Sequence, residues 1–451
     1  QVCQICKGRK KKCDKQLPQC GYCVHVHLDA RSTSLPETTE SDTTTRSSPA
    51  TDHAGIGLIA SNGCKVLRPA SIDTSPVASP LATLAPNTAF SLALAQLVQP
   101  SELSINDLIS RYFNGVHLWI PFFCPGRLRK DMIRYSSFPT AEFSLLVLCM
   151  SLLTNNPAHH NQASMERSTI YLCAKTYLAQ FQVMFPVCIQ WVQAGIFVSM
   201  YEYACGKPDT ALATIDNCAR QAYKLGIHQK PTTPGWSEGW NTWWATRMFE
   251  RVYNCETSTS EIPLITSAPD KGDLLPHEVD EGDWEPRLYW AAPLAPLSSP
   301  DAGCLGRAAQ AAYLLDRVVR TTSMTPAQDG IADLAIIDKE LQFLLSAVMD
   351  KCHGKRGGHC GAVGISISRA LFILHQHILT LDASAIETQM RQHSEVALDT
   401  VAQMVVDIAR SHRDIPISEI DIVSPICHYI VRDTLEHLYK NRYADQDAWF
   451  E

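Results

Sequence analysis

The sequence predicts a mainly α protein with a small cysteine-rich module, a disordered linker and a large all-α body. Three observations carry this. Five of the 17 cysteines fall between residues 3 and 23. Thirteen of the twenty residues in 31–50 are Ser, Thr or Pro, which leaves too little apolar surface to offset the entropy of ordering. From about residue 101, apolar residues recur at helical spacing, and few segments alternate with period two. The chain has 451 residues, 45% hydrophobic and 19% charged. That is enough to build a sizeable core, so a wholly disordered or collagen-like protein is excluded.

The charge is unevenly spread. The net charge is -7, yet residues 1–15 hold Lys7, Arg9, Lys10, Lys11, Lys12 and Lys15 against Asp14 alone, a net of +5. The rest of the chain therefore carries -12, from 33 basic and 45 acidic residues. A basic arm on an acidic body points to nucleic acid or to an anionic membrane surface.

The first element is residues 1–30, with the pattern Cys3-x2-Cys6-x6-Cys13-x6-Cys20-x2-Cys23. Thiolates select zinc, and tetrahedral sites of four cysteines are closed structural ones. The bases from Lys7 to Lys12 lower thiol pKa values and so favour metal binding. A redox CxxC or a disulfide knot is the alternative, but a thioredoxin-type motif needs a βαβ pattern that is absent here. The other twelve cysteines are scattered, mostly in apolar segments, where free Cys behaves as a small core hydrophobe. A reducing compartment fits that usage better than an oxidising one.

At these residues the chain resembles the fungal zinc binuclear cluster family, six-cysteine transcription factors in which two zinc ions share six thiolates. The resemblance rests on the basic run, on Cys13-Asp14-Lys15, on Pro18, and on Cys20-Gly21-Tyr22-Cys23. It implies that Cys3 and Cys20 bridge the metals, that Cys6 and Cys13 complete the first site, and that Cys23 belongs to the second. It further implies that Arg9 and Lys10 reach base edges of CGG-type half-sites in double-stranded DNA. Lys7, Lys11, Lys12 and Lys15 would take phosphates. Arg and Lys donate well to guanine O6 and N7, while phosphate contacts fix register.

The sixth cysteine, expected at 30–32, is replaced by Ala30, Arg31 and Ser32. One zinc is firmly expected and a second more weakly. His25 or His27 could supply the sixth ligand, since neutral imidazole binds zinc well; solvated loop histidines are the equal alternative.

The second element is the linker, 31–99, punctuated by Pro69, Pro76, Pro80, Pro86 and Pro100. It holds no sustained heptads, and Ser91–Leu97 is too short for a coiled coil, so any homodimer is expected to form through the body. The third element is the body, 100–451. Ser104 and Asp107 resemble a capping box ahead of Ile105, Leu108, Ile109, Tyr112, Phe113 and Val116. Apolar segments follow near 141–154, 163–183, 187–204, 209–226, 239–256, 305–320, 332–350, 364–381 and 418–440, with a stripe at Leu398, Val401, Val405 and Ile408. The Pro-broken stretch from Glu261 to Pro300 is the expected irregular excursion.

Tyr112-Phe113, Val116-His117, Trp119 and Pro121 resemble the opening of the helical regulatory domain that follows such clusters. Trp243-Trp244 through Tyr253, then Ile262-Pro263, resemble its paired-aromatic helix and the loop after it.

Thr176–Tyr201 is uncharged and long enough to span a bilayer. Gln180, Gln182, Gln190 and Gln193, with Pro186 and Gly195, argue instead for two buried helices meeting near Pro186. No membrane partner is expected. Cys352-His353 and His359-Cys360 bracket a Gly-rich turn and read as a loop between helices rather than a metal site; His375 and His377 read as packing or surface residues. The sequence has no HExxH, Walker loop, GxGxxG or GxSxG, so no enzyme is expected. The overall expectation is a nuclear, zinc-dependent regulator acting on RNA polymerase II promoters, with transcription machinery or co-regulators as partners. The alternative is a degenerate relative that has lost specific DNA binding and works through its helical body.

Overall fold

A computed structural model describes residues 88, 90–92, 105–137, 140–154, 163–232, 237–257, 263–277, 292–295, 297–299, 302–323, 328–352, 361–381, 388–413, 415, 424 and 427–447. The chain divides into two units, Gln1–Ile59 and Ala60–Glu451, and every described residue belongs to the second. Among the described residues the structure is helical. The one β pairing there is an isolated antiparallel bridge between Leu274 and Pro293.

From residue 105 the described residues form, in order, α1 (Ile105–Asn114), α2 (Val116–Trp119), α3 (Pro125–Ser137), α4 (Ala141–Thr154), α5 (Ala163–Met184), α6 (Ile189–Ala204), α7 (Pro208–Leu225), α8 (Glu238–Asn254), α9 (Cys304–Ser323), α10 (Gln328–Cys352), α11 (Gly361–Thr380), α12 (Thr388–His412) and α13 (His428–Asp447). They form two adjoining groups. In the first, α6 packs against α4, α5, α7 and α8; in the second, α11 packs against α9, α10, α12 and α13. The contact of α8 with α9 joins them.

Composition explains why α6 is central. It is mostly apolar, with Trp191, Ile196, Phe197, Val198 and Met200 buried, and its polar Gln193, Ser199 and Glu202 are buried too. Its approach to α7 is close: a Cβ added at Gly195 would lie 2.3 Å from Cys218 Sγ. The turn from α5 into α6 falls at Phe185–Cys188, around Pro186, and Trp191 Nε1 donates to Leu178 O at 3.0 Å. The uncharged run is therefore two helices meeting near Pro186. α6 is buried, whereas the end of α5 leaves Gln182, Val183 and Met184 exposed, against the expectation that both are buried. No described helix is long and apolar enough to cross a membrane.

Ends follow local chemistry. Pro208 opens α7, where a missing N–H goes unnoticed, and Gly226 closes it at φ 72, a left-handed conformation that favours glycine. Ser237 Oγ accepts from Trp240 N at 3.2 Å and caps α8.

Three differences from the sequence expectation stand out. Helices α2 and α3 were not foreseen. α3 (PGRLRKDMIRYSS) is mostly polar, and only its inner face, including Leu128, is buried. Helix α13 begins at His428 rather than near 418. The body also starts before residue 100. Phe90 is fully buried, edge-on to Tyr177, Phe181 and Phe185 at 5.2, 5.9 and 5.5 Å between ring centroids; a large aromatic side chain repays its ordering where Ser and Thr do not. The expected N-cap Ser104 lies outside the described residues.

Cys149 and Cys218 are free and buried, as the sequence suggests, and burial pushes the Cys188, Cys255 and Cys427 thiols up to about 11. Cys173, also buried, is disulfide-bonded.

Candidate functional site

Within the body, the densest chemistry surrounds α8. The helix is buried along nearly its whole length, and its buried residues include Arg247, Glu250 and Arg251. Charges in such a place require partners. The segment after the helix, 263–277, supplies many of them. Glu250 Oε1 accepts the backbone N–H of Ile265 at 2.6 Å and of Thr266 at 3.1 Å. Thr266 Oγ1 donates to Glu250 Oε2 and accepts from Arg251 Nη1, the latter at 2.6 Å. Arg251 Nε donates to Asp316 Oδ1 on α9 at 2.9 Å, and its Nη2 to Ser267 O at 2.9 Å.

Arg247 pairs with Asp273 at 3.0 Å and lies 4.4 Å from the centroid of the Trp244 ring. Trp240 and Trp244 each donate Nε1–H to Leu274 O at 3.1 Å. Asn241 completes the seam by giving an N–H to His277 O at 2.7 Å and accepting from His277 N at 3.2 Å.

Electrostatics follow this geometry. Burial pulls the Arg247 guanidinium below its ordinary range, helped by neighbouring Arg251 and opposed by Asp273. Burial raises the Asp273 carboxyl, but the Asp270 backbone N–H and then Arg247 outweigh it, and the group ends below the usual value. Asp216 on α7 goes the other way: burial first, then the Glu250 charge, push it up to about 6 against the pull of Arg220. The arrangement is a sealed ionic clamp. It aligns α7, α8, α9 and an irregular segment.

A smaller buried cluster holds α5, α6 and α7 together. Glu202, fully buried, accepts from Tyr171 at 2.7 Å and Thr214 at 2.5 Å, and pairs with Lys175 at 2.9 Å. In the second helical group, Asp338 on α10 lies 3.4 Å from His375 of α11 and 3.0 Å from His393 of α12, and His375 Nδ1 lies 3.2 Å from Ser394 Oγ. His375 is thus a packing residue, as expected. Among the described residues, no group of three or more His, Cys, Asp or Glu could hold a metal ion.

The residues singled out in the N-terminal module lie outside the described residues: Cys3, Cys6, Cys13, Cys20 and Cys23, His25 and His27, and Lys7, Arg9, Lys10, Lys11, Lys12 and Lys15. So do His353, His359 and Cys360, and nothing is described of the Cys352 side chain. The fit of zinc to the module is therefore a question of donor chemistry. Four thiols, Cys3, Cys6, Cys13 and Cys20, suffice for one closed tetrahedral site. A fifth thiol, Cys23, follows, and the sequence has no cysteine at 30–32.

Comparison with known proteins decides what the module is. Residues 1–32 match the model of the fungal Zn(2)-Cys(6) binuclear cluster domain. The matched stretch contains all five N-terminal cysteines and the basic run. The chain is also similar to Transcription factor BOA15 of Botryotinia fuckeliana (strain B05.10), 26% identical over 141 residues, which cover 31% of this chain and 77% of that protein. No solved structure matches the chain. A zinc cluster domain together with a transcription-factor relative supports a zinc-binding, DNA-binding regulator of transcription. The family suggests a non-enzyme and implies a nuclear location.

Proposed function

We propose that the chain is a sequence-specific regulator of RNA polymerase II promoters that reads CGG-type half-sites through its N-terminal zinc cluster. The single observation that carries this is the family match over residues 1–32, which contains the five cysteines and the basic run. In this reading Cys3, Cys6, Cys13 and Cys20 hold a tight zinc. Cys3, Cys20 and Cys23 share a weaker one, with His25, His27 or water completing it. Zinc supplies folding energy to the module. Arg9 and Lys10 read bases, while Lys7, Lys11, Lys12 and Lys15 grip phosphates. The Ser/Thr/Pro-rich stretch that begins at residue 31 tethers this module, and the helical body, which includes Phe90, is the regulatory part that meets the transcription machinery or co-regulators.

Band shifts of the full chain against a CGG-containing library test the reading. Lys12→Ala is expected to weaken all sequences alike and to flatten the log–log salt slope by about one. Arg9→Ala is expected to relax sequence preference instead. Equal effects from both, or no preference in the unmodified chain, overturn it. Ala30, standing where the sixth cysteine is expected, favours a second reading: a relative without specific DNA binding that works through its body. Native mass spectrometry separates the two, since Ala30→Cys is expected to convert a chelator-labile second zinc into a tight one and to sharpen DNA preference. Two equally resistant zincs in the unmodified chain would contradict the assigned ligands.

A further inference from the structure

The second helical group exposes apolar side chains along one line. α10 ends with Met349 37% exposed, and α12 presents Val396 at 64% and Ile408 at 42%. These residues, with Met404, line an open groove of about 800 Å³. Two carboxylates stand on its margin, Asp399 and Asp407, with side chains 63% and 60% exposed. Asp399 Oδ1 lies 2.9 Å from His437 Nε2, and Asp407 Oδ1 accepts from Gln403 and Arg410 at 2.9 and 3.1 Å. These neighbours leave both carboxylates largely in solvent.

The dimensions suit a helix. The α12 side of the groove runs from Val396 to Ser411, about 22 Å at the helical rise of 1.5 Å per residue, or roughly four turns. Two methionines in the lining give a deformable apolar surface that accepts varied side chains. Acidic groups on the margin select the opposite charge and repel their own. A second copy placed two-fold on this face would bring Asp399 and Asp407 against themselves.

We propose that the groove between α10 and α12 docks a basic amphipathic helix of a partner protein. Apolar anchors at i, i+3 or i+4, and i+7 lie on Met349, Val396, Met404 and Ile408, and flanking Lys or Arg face Asp399 and Asp407. The residues that line this groove all belong to the helical body, and none falls within residues 1–32.

Fluorescence anisotropy on the full chain tests it with two labelled 15-residue probes. Both carry Leu at i, i+4, i+7 and i+11; one fills the remaining face with Lys and the other with Glu. The Lys probe is expected to bind about tenfold more tightly than the Glu probe. The double variant V396K/I408K is expected to weaken it by about tenfold or more. Both positions are exposed, so the fold is expected to survive, which the helical circular dichroism of the variant checks. D399K/D407K is expected to invert the preference toward the Glu probe. Equal binding of the two probes, or unchanged binding by V396K/I408K, overturns the proposal. Self-association in sedimentation that V396K/I408K abolishes also overturns it, by giving the groove to a second copy.

Discussion

Helices α8 and α12 each break the ordinary rule of charges outside and apolar groups inside, in opposite senses. α8 buries Arg247, Glu250 and Arg251, whereas α12 leaves Val396 and Ile408 in solvent. In α8 each of these three charges meets a partner within the chain, Thr266, Asp273 or Asp316, although Arg247 Nε itself makes no hydrogen bond. In α12 the apolar side chains lie along a groove. Misplaced charge met by internal partners belongs to the fold, while misplaced apolar surface on an open groove belongs to encounters with other molecules.

The most damaging way to probe this contrast is to break the clamp. Arg251→Met removes the buried partner of Asp316, leaving it only the half-exposed Arg320, and takes one donor from Thr266, so stability is expected to fall by about 3–5 kcal/mol. Urea unfolding followed by circular dichroism measures it. Adding Asp316→Leu is expected to recover part of the loss, since the uncompensated buried charge goes with it. A loss under 1 kcal/mol from Arg251→Met would place the clamp with surface ion pairs and erase the contrast.

Next in size is the packing that supports α8 from behind. Gly195→Ala puts a methyl group against Cys218 Sγ, at a cost of about 1–3 kcal/mol from overpacking. Cys218→Ala in the same chain is expected to relieve most of this. If the pair proves additive, the clash is not the cause.

The Asp216 carboxyl sharpens the comparison through pH. Its folded value, about 6, lies above its ordinary 3.8. A raised carboxyl favours folding below its unfolded value and loses that contribution as pH climbs through the folded one. Stability due to this group is therefore present below about pH 4 and gone above about pH 6. Asp216→Asn is expected to raise the urea midpoint at pH 7 and to leave it unchanged at pH 4. A gain of the same size at both pH values would mean that the charge is not responsible.

The smallest effects are expected on α12. Arg410→Ala breaks an exposed pair with Asp407 at 3.1 Å, and the change in stability should stay within about 0.5 kcal/mol. Val396→Ser should be similarly silent in unfolding. A loss above 1 kcal/mol at either position would show that this face is already spoken for within the chain.

Much of this architecture is legible in the sequence, for identifiable reasons. Ala141–Thr154 and Ile189–Ala204 announce themselves because helices buried on most sides are largely apolar, with Glu202 the buried charge among them. α3 escapes because its buried face is narrow and four basic residues mask the period. Phe90 escapes because a linker read from composition has no way to reveal one aromatic side chain reaching a distant core. The cysteine spacing announces the zinc cluster, since ligand geometry fixes sequence spacing directly. The clamp on α8 is different. Arg247, Glu250 and Arg251 read as the wet face of an amphipathic helix until their neighbours are counted. Trp240, Trp243, Trp244, Met248, Phe249 and Tyr253 surround them and leave no wet face to occupy, and that crowding is the signal that could have found it.

One consequence concerns time rather than architecture. The amides of Ile265 and Thr266 belong to no helix or strand, yet both end on a carboxylate sealed inside the protein. To release them, Glu250 must lose its partners in a dry interior, which amounts to opening α8 itself. Segment and helix therefore open as one cooperative unit. On the clock of hydrogen exchange this stretch of irregular backbone keeps the slow pace of the core it covers.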